Sequence, residues 1–496
     1  MYRSVTLEPI RLIAAFAVAG ALAGCAVGPE FRRPEPPASS SNLSETQPLQ
    51  SVASQGPGGN PQRLDAEMAI PAQWWSLFRS PVLDRLVRSA LEQSPTLAQA
   101  RARLARAREA VNAETGATRY PAVDANLSAK RQKVDPAAFG VNVPVKPAPF
   151  TLYNASVSVS YALDLFGGNR RALEGLAAKV DYQRFELEAA RQTLAANVVG
   201  AAIREAALQA QIATLQELLA AQSRQLDIMG ERFRLGAIAA VDLRNQSLLL
   251  EQTRASLPPL EKQLVQVSNQ LAVYLGREPA QGKVDSLELS TLHLPEELPL
   301  SLPSALARQR PDIRAAEALW HAASAEVGVA TANMYPQIIL SGSVGSQRTS
   351  LGDLWSGVNV WNIGGNLMQP VFRGGELQAR KRAALAAYDE AGAAYRQTVL
   401  QGLQQVADTL YALDADARAL KARADAAHHA RLVYETVQQQ YQLGGVSHLV
   451  LLDAQRQQLQ AEFQRIQSQA DRYADTAALL HALGGGWWNG ASEGGI

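Results

Sequence analysis

The chain has 496 residues, with 47 Lys+Arg against 46 Asp+Glu and a formal net charge of +1. That balance excludes a dedicated nucleic-acid binder, which carries a basic stripe, and a charged fraction of 19% excludes a highly charged disordered chain. A single cysteine excludes an intrachain disulfide and any cysteine-based zinc or iron–sulfur site.

The first element is a leader over 1–24. Arg3 and Arg11 precede the apolar run from Leu12 to Gly24, too short to span a bilayer comfortably and placed where a secretory h-region belongs. No second such run follows, which excludes a polytopic helical membrane protein. The run closes on Leu22-Ala23-Gly24-Cys25, and small residues directly before a cysteine resemble the processing box of bacterial lipoproteins. Acylation of Cys25 is expected, and three chains at about 0.8 kcal/mol per buried CH₂ anchor far more firmly than one. Ala26 rather than Asp follows the cysteine, which favours the outer membrane in that class. Residues 25–65, rich in Pro, Ser, Gln and Gly, read as an extended tether.

Five landmarks then recur in order at an offset of about 210 residues. Pro95-Thr96-Leu97 answers Pro311-Asp312-Ile313, and Tyr120-Pro121 answers Tyr335-Pro336. Phe166-Gly167-Gly168 answers Phe372-Arg373-Gly374-Gly375. Leu235-Gly236 answers Leu443-Gly444, and Leu275-Gly276 answers Leu483-Gly484. The repeats run 66–280 and 304–485, joined by a Pro/Leu-rich linker at 281–303 and followed by a tail at 486–496.

Each repeat opens on a helix that ends at its Tyr-Pro step, because the residue before proline is pushed out of the α region. Two strands follow, at 121–133 and 152–165, then at 336–347 and 358–372. Val157, Val159, Tyr161 and Leu163 alternate with Ser156, Ser158 and Ser160; period-2 patterning with one small polar face suits a wall between lipid and water, and also a half-buried soluble sheet. Long helices come next, at 169–235 and 240–275, then at 376–443 and 447–483. The stripe Val198, Ala201, Leu208, Ile212, Leu215, Leu219, interrupted at Glu205 and Gln222, gives heptad-like seams. About 65 residues of helix is about 100 Å of rod. Pro258-Pro259 must break the return helix.

The segments Cys25-Ala-Val-Gly-Pro-Glu-Phe-Arg-Arg-Pro, Trp74-Trp75 with Phe78 and Leu83, and Arg310-Pro311-Asp312-Ile313-Arg314 with Glu317, together with the two Leu-Gly hairpins, resemble the TolC-like outer-membrane efflux proteins. The nearest branch is the NodT-type or OprM-like lipoproteins, the outer-membrane factors of RND efflux systems. The resemblance spans residues 25–485. It implies an α+β membrane protein: a trimeric β-barrel of twelve strands, four from each chain, continuous with a long α-helical coiled-coil barrel in the periplasm. It also implies a periplasmic adaptor and an inner-membrane RND-type transporter as partners, beside outer-membrane lipid. The residues point independently to oligomers, since four strands in lipid leave two open edges and known single-chain barrels have at least eight strands. Dimer and trimer both close an even number; three comes from the resemblance.

Candidate functional residues concentrate at the hairpin tips. Gly236 and Ala237, with Gly444, Gly445 and Val446, reverse the helices and match the family's periplasmic entrance and adaptor contact; Ser447 stands where it would cap the outgoing helix. By the same resemblance Asp453 matches an aperture carboxylate, three copies of which would ring the pore and favour cations; the alternative is a solvated Asp near a helix N-terminus. The family's second acidic position is Val450 here. Tyr441 matches a tyrosine that links helices near the closed tip, with simple packing as the alternative, and Asp242 is its expected inter-hairpin partner. His448 at the tip is expected to bias opening in mild acid. The other histidines, His293, His321, His428, His429 and His481, complete a set without an i, i+4 pair and carboxylate companion, so no metal site is expected. No cofactor is expected beyond the lipid on Cys25. Arg101, Arg103, Arg106 and Arg108 read as a solvated helix face. No nucleophile elbow or catalytic triad is apparent.

The expected function is a passive outer-membrane exit duct for drugs or other small molecules in a tripartite efflux pump. The alternatives are the same duct in one-step (type I) protein secretion, a periplasm-spanning structural lipoprotein without a pore, or a lipoprotein enzyme.

Overall fold

The computed structural model describes residues 26–35, 48–133, 148–281 and 285–489. The expected leader and Cys25 lie outside the described residues. The first half runs β1 (Arg63–Asp65), α1 (Pro81–Gln93), α2 (Pro95–Arg119), β2 (Ala122–Gln132), β3 (Phe150–Leu163), α3 (Gly168–Arg234), α4 (Ala240–Ala255) and α5 (Leu257–Tyr274). The second runs β4 (Glu297–Pro299), α6 (Pro303–Gln309), α7 (Pro311–Ala332), β5 (Gln337–Arg348), β6 (Val360–Met368), α8 (Glu376–Gln442) and α9 (His448–Ala482). Pro81, Pro95, Pro303 and Pro311 open their helices, where a missing N–H costs nothing. None of the described helices is long and apolar enough to cross a membrane.

Among the described residues two compact units form, one within 26–33, 104–183 and 316–395, the other within 34–103, 184–315 and 396–489. The sequence repeats are therefore not the spatial units. The reason lies in strand pairing: β3 from the first half pairs with β5 from the second, Val157 opposite Val344, so neither half can separate with its own strands.

The first unit carries an antiparallel sheet in the order β2-β3-β5-β6. Among the described residues nothing pairs with the outer edges of β2 and β6. The register aligns Val123, Val159, Gly342 and Ile363 across all four strands, and Ala125, Val157, Val344 and Trp361 beside them. Since side chains alternate faces along a strand, one face is apolar; the other carries Asp124, Asn126, Ser156, Ser158, Ser341, Ser343 and Asn362. Nine large side chains of the apolar face (Val123, Leu127, Val157, Val159, Leu340, Val344, Trp361, Ile363 and Leu367) are 40% to 82% exposed. At about 2 kcal/mol for hiding each one, this face loses on the order of 10 kcal/mol in water.

Residues 26–33 strap onto the same unit. The Val27 amide donates to the Phe166 carbonyl at 3.1 Å, Phe31 stacks on His321, and Arg33 pairs with Glu317 at 2.7 Å. Gly28 lies so close to Gly328 that a Cβ on it would sit 2.5 Å from the Gly328 Cα.

In the second unit Trp74, Phe78, Leu83, Leu97, Leu271 and Tyr473 are fully buried. Buried Arg310 donates from Nη1 to the Ala482 carbonyl at 2.6 Å, closing the C-terminus of α9, and holds Asp312 and Gln405 through Nη2. Part of the tether expected over 25–65 departs from that reading. Residues 50–63 double back, with Ser51 N–H donating to Gln62 O, and β1 pairs in parallel with β4. Fully buried Arg472 fixes this loop, donating to the carbonyls of Gly58 and Asn60 at 2.8 Å and to Ser51 Oγ at 3.0 Å. The start of the segment read as a tail from 486 also packs: Trp487 Nε1 donates to the Gln309 carbonyl and Asn489 Nδ2 to that of Ile70. In both places short polar or aromatic stretches find buried carbonyl or guanidinium partners that composition does not reveal.

Candidate functional site

Two helical hairpins, α3 turning into α4 and α8 into α9, each built on a helix of 67 residues, have their turns in the second unit. The turns are the same. Gly236 and Gly444 adopt left-handed backbones with φ of +70° and +78°. Ala237 N–H donates back to Arg232 O and Gly445 N–H to Gln440 O, both at 2.8 Å. These six-to-one bonds satisfy helix-terminal carbonyls and need the glycine that each sequence supplies. Ala239 and Ser447 then lead into the outgoing helices with matching extended backbones. The Ser447 hydroxyl makes no capping bond, contrary to expectation; the equivalent Ala239 has no hydroxyl, so this turn geometry is set by the backbone.

Leu235 and Leu443 are 83% and 88% exposed at the turns, and Leu449 is also exposed. Behind them the two hairpins meet at His448. Its ring is buried, with Nε2 3.3 Å from Met229 Sδ on α3, Tyr441 edge-on at 5.3 Å and Nδ1 without a partner. Burial pushes the imidazole below its ordinary range, while the Asp242 charge pulls the other way. Charging it therefore takes more acid than charging an exposed histidine. Tyr441, Asp242 and His448 thus converge. Asp453 does not join them: it pairs with Arg456 at 2.6 Å and accepts from Gln457 at 2.5 Å, both one turn along α9.

Further along the same helices lies a polar layer. Gln222, Gln246 and Gln455 are at most 5% exposed. Gln246 Nε2 donates to the Gln222 carbonyl at 3.2 Å and Gln455 Nε2 to the Tyr434 hydroxyl at 3.4 Å. All three side-chain carbonyls lack a partner. Glu205, the other break in the apolar stripe, accepts from Ser268, and burial raises its pKa. Near the buried Arg472, Asp416 is pushed up to about 7 by burial, by a hydrogen bond with Asp475 and by the charges of Asp475 and Asp471, against the pull of Arg472. The sequence had marked Glu205 and Gln222 as interruptions; Met229, Arg472 and the Asp416–Asp475 pair carried no local signal.

His293, His428 and His429 are exposed, and no group of three His, Cys, Asp or Glu side chains among the described residues is arranged for a metal ion. Arg101, Arg103, Arg106 and Arg108 lie exposed on α2.

Residues 86–277 and 302–485 match the protein family described as "Outer membrane efflux protein". A Pseudomonas aeruginosa protein named pyoverdine export outer membrane protein OpmQ is 31% identical over 87% of this chain and 94% of its own length. Outer membrane protein OprJ of the same species is 29% identical over 98% of each chain. The solved outer-membrane channel OprN superposes with a TM-score of 0.81 at 28% identity, covering 93% of this chain and all of that one.

Proposed function

The chain belongs to the outer membrane efflux protein family and resides in the outer membrane, and from that premise we propose that it is the passive exit duct of a tripartite efflux pump, assembled as a trimer. One observation carries the reading: a four-stranded sheet with one apolar, exposed face and two open edges. Lipid is the solvent that suits that face, and unpaired strand edges are intolerable in lipid. Three copies would supply twelve strands and leave no edge, with Ser156, Ser158, Ser341, Ser343 and Asn362 turned to a watery lumen. Aromatic side chains stand at both ends of the sheet, Tyr120, Phe166 and Tyr335 at one and Trp355 and Trp361 at the other, as interfacial girdles do. Acylation of Cys25 fits the strap, which holds Val27 against Phe166 at one of these girdles.

The duct performs no chemistry of its own; an inner-membrane transporter of RND type supplies the energy. The exposed leucines of the tips offer the adaptor its docking surface, and Tyr441, Asp242 and the Asp453 ring form the gate region. Small polar side chains on a lumen wall select little, which suits export of drugs or other small molecules. Native mass spectrometry of the mature protein tests the assembly: a triacylated trimer is expected, and a lone unacylated subunit would refute it.

A further inference from the structure

Inside one chain the sheet is clasped at its Tyr-Pro end. Tyr335 leads into β5, Phe166 follows β3, and the two rings stack at 4.7 Å and 18° beside the paired strands. Their repeat equivalents are Tyr120, leading into β2, and Phe372, following β6. These belong to the two outer strands and are 66% and 87% exposed. We propose that β6 of one copy pairs with β2 of the next in a single register, with Phe372 stacked on the next copy's Tyr120, so that the interface between copies repeats the β3–β5 contact within the chain. This pairing rests on the assembly proposed above and gives it a residue-level geometry.

The register follows from the repeat. Tyr161, five residues before Phe166, pairs with Leu340, five after Tyr335. The equivalents are Leu367, five before Phe372, and Ala125, five after Tyr120. Antiparallel pairing from that point sets Gly365 opposite Leu127, Ile363 opposite Ala129 and Trp361 opposite Arg131, and Asn366 opposite Asn126 on the other face. Within the chain Ile363, Gly365 and Leu367 already share the apolar face with Ala125, Leu127 and Ala129. A side chain turned to lipid in one copy therefore meets one turned to lipid in the next, as a register with one buried face demands. The edges also fit in size, since each large aliphatic side chain meets a small residue, and the Trp361 ring meets the Arg131 guanidinium, an attractive pair. A slip of two residues either way ends this fit. One direction sets Gly365 against Ala125, the other Leu367 against Leu127, and both part the aromatic rings by about 7 Å.

The test is oxidative cross-linking of the full-length protein in membranes, read on non-reducing denaturing gels. Directly opposite side chains lie about 4.5–5.5 Å apart at Cβ and diagonal ones about 7–8 Å, and a disulfide reaches only the nearer. Asn126→Cys with Asn366→Cys should give covalent dimer and trimer bands. Asn126→Cys with Gly364→Cys or with Met368→Cys, the two slipped pairs, should give none, and neither should the single variants, which control for the chain's own Cys25. The aromatic clasp is read separately, as the temperature at which the unheated oligomer band is lost. Phe372→Ala should lower it, Phe372→Tyr should keep it, and Tyr120→Ala added to Phe372→Ala should lower it no further. Fully additive losses would overturn the stack. An intact oligomer that cross-links at a slipped pair, or not at all, would overturn the register while leaving the duct reading standing; a chain that stays monomeric would overturn both.

Discussion

In the sheet, Val123, Val159 and Ile363 share one register line and face outward, while serines and asparagines occupy the opposite face. In the hairpin bundle, Gln222, Gln246 and Gln455 are buried with unpartnered carbonyl oxygens, while Leu235, Leu443 and Leu449 are exposed. Both regions invert the usual distribution, for different reasons. The sheet's apolar face is stable once lipid covers it, so its inversion is resolved by surroundings. A buried amide oxygen without a partner costs about 1–3 kcal/mol wherever it sits, so the bundle holds a weakened core close to its turns. That is a sensible place for a gate, since a cheaply opened layer needs little work from a partner.

The largest effect should come from breaching the sheet. Ile363→Arg, at the centre of the apolar face, should cost about 2–4 kcal/mol per chain and abolish the heat-modifiable oligomer on gels. Ser158→Lys, on the polar face, should leave it intact; equal damage from both would erase the distinction between the faces.

Next in size is the polar layer. Replacing Gln246 by Leu removes an orphaned oxygen and should stabilise the bundle by about 1 kcal/mol, raising the melting temperature and lowering open probability. A destabilised variant would show that the glutamines are better satisfied than their geometry indicates.

Another effect concerns pH. The Asp416 carboxyl is raised from an ordinary value of 3.8 to about 7, so between those values the folded chain holds a proton that the unfolded chain has released. Stability therefore falls as pH rises through that window. Melting curves from pH 5 to 8 should show the decline, and Asp416→Asn should flatten it; a steeper slope in the variant would contradict the assignment.

The smallest change is expected from Asp453→Ala combined with Tyr441→Phe. Asp453 is tied to Arg456 and Tyr441 packs on His448, so losing both should loosen the closed entrance and modestly raise resting conductance. Unchanged conductance in planar bilayers would remove these residues from the gate.

Much of this architecture is legible locally. The Val157–Ser158 alternation is a strand signal, and Pro258-Pro259 coincides with the division between α4 and α5, which begins at Leu257. Leu-Gly at 235–236 and 443–444 supplies the left-handed residue that the turns require. What stayed hidden depends on register between distant segments. Val157 meets Val344, and Met229 meets His448, through packing that no periodicity encodes. His448 looked like an exposed titratable group because it follows a turn, and only the neighbouring helices reveal that it is buried. Residues 50–63 looked like free tether because Arg472, their anchor, lies more than 400 residues away in sequence.

Single-channel recording bears most directly on the claim that several copies together enclose a watery passage. Purified, unheated oligomer added to a planar bilayer should give discrete current steps, and Ile363→Arg protein should give none. A bilayer that stays silent with intact wild-type oligomer, or current of the same size from heat-dissociated subunits, would contradict the account.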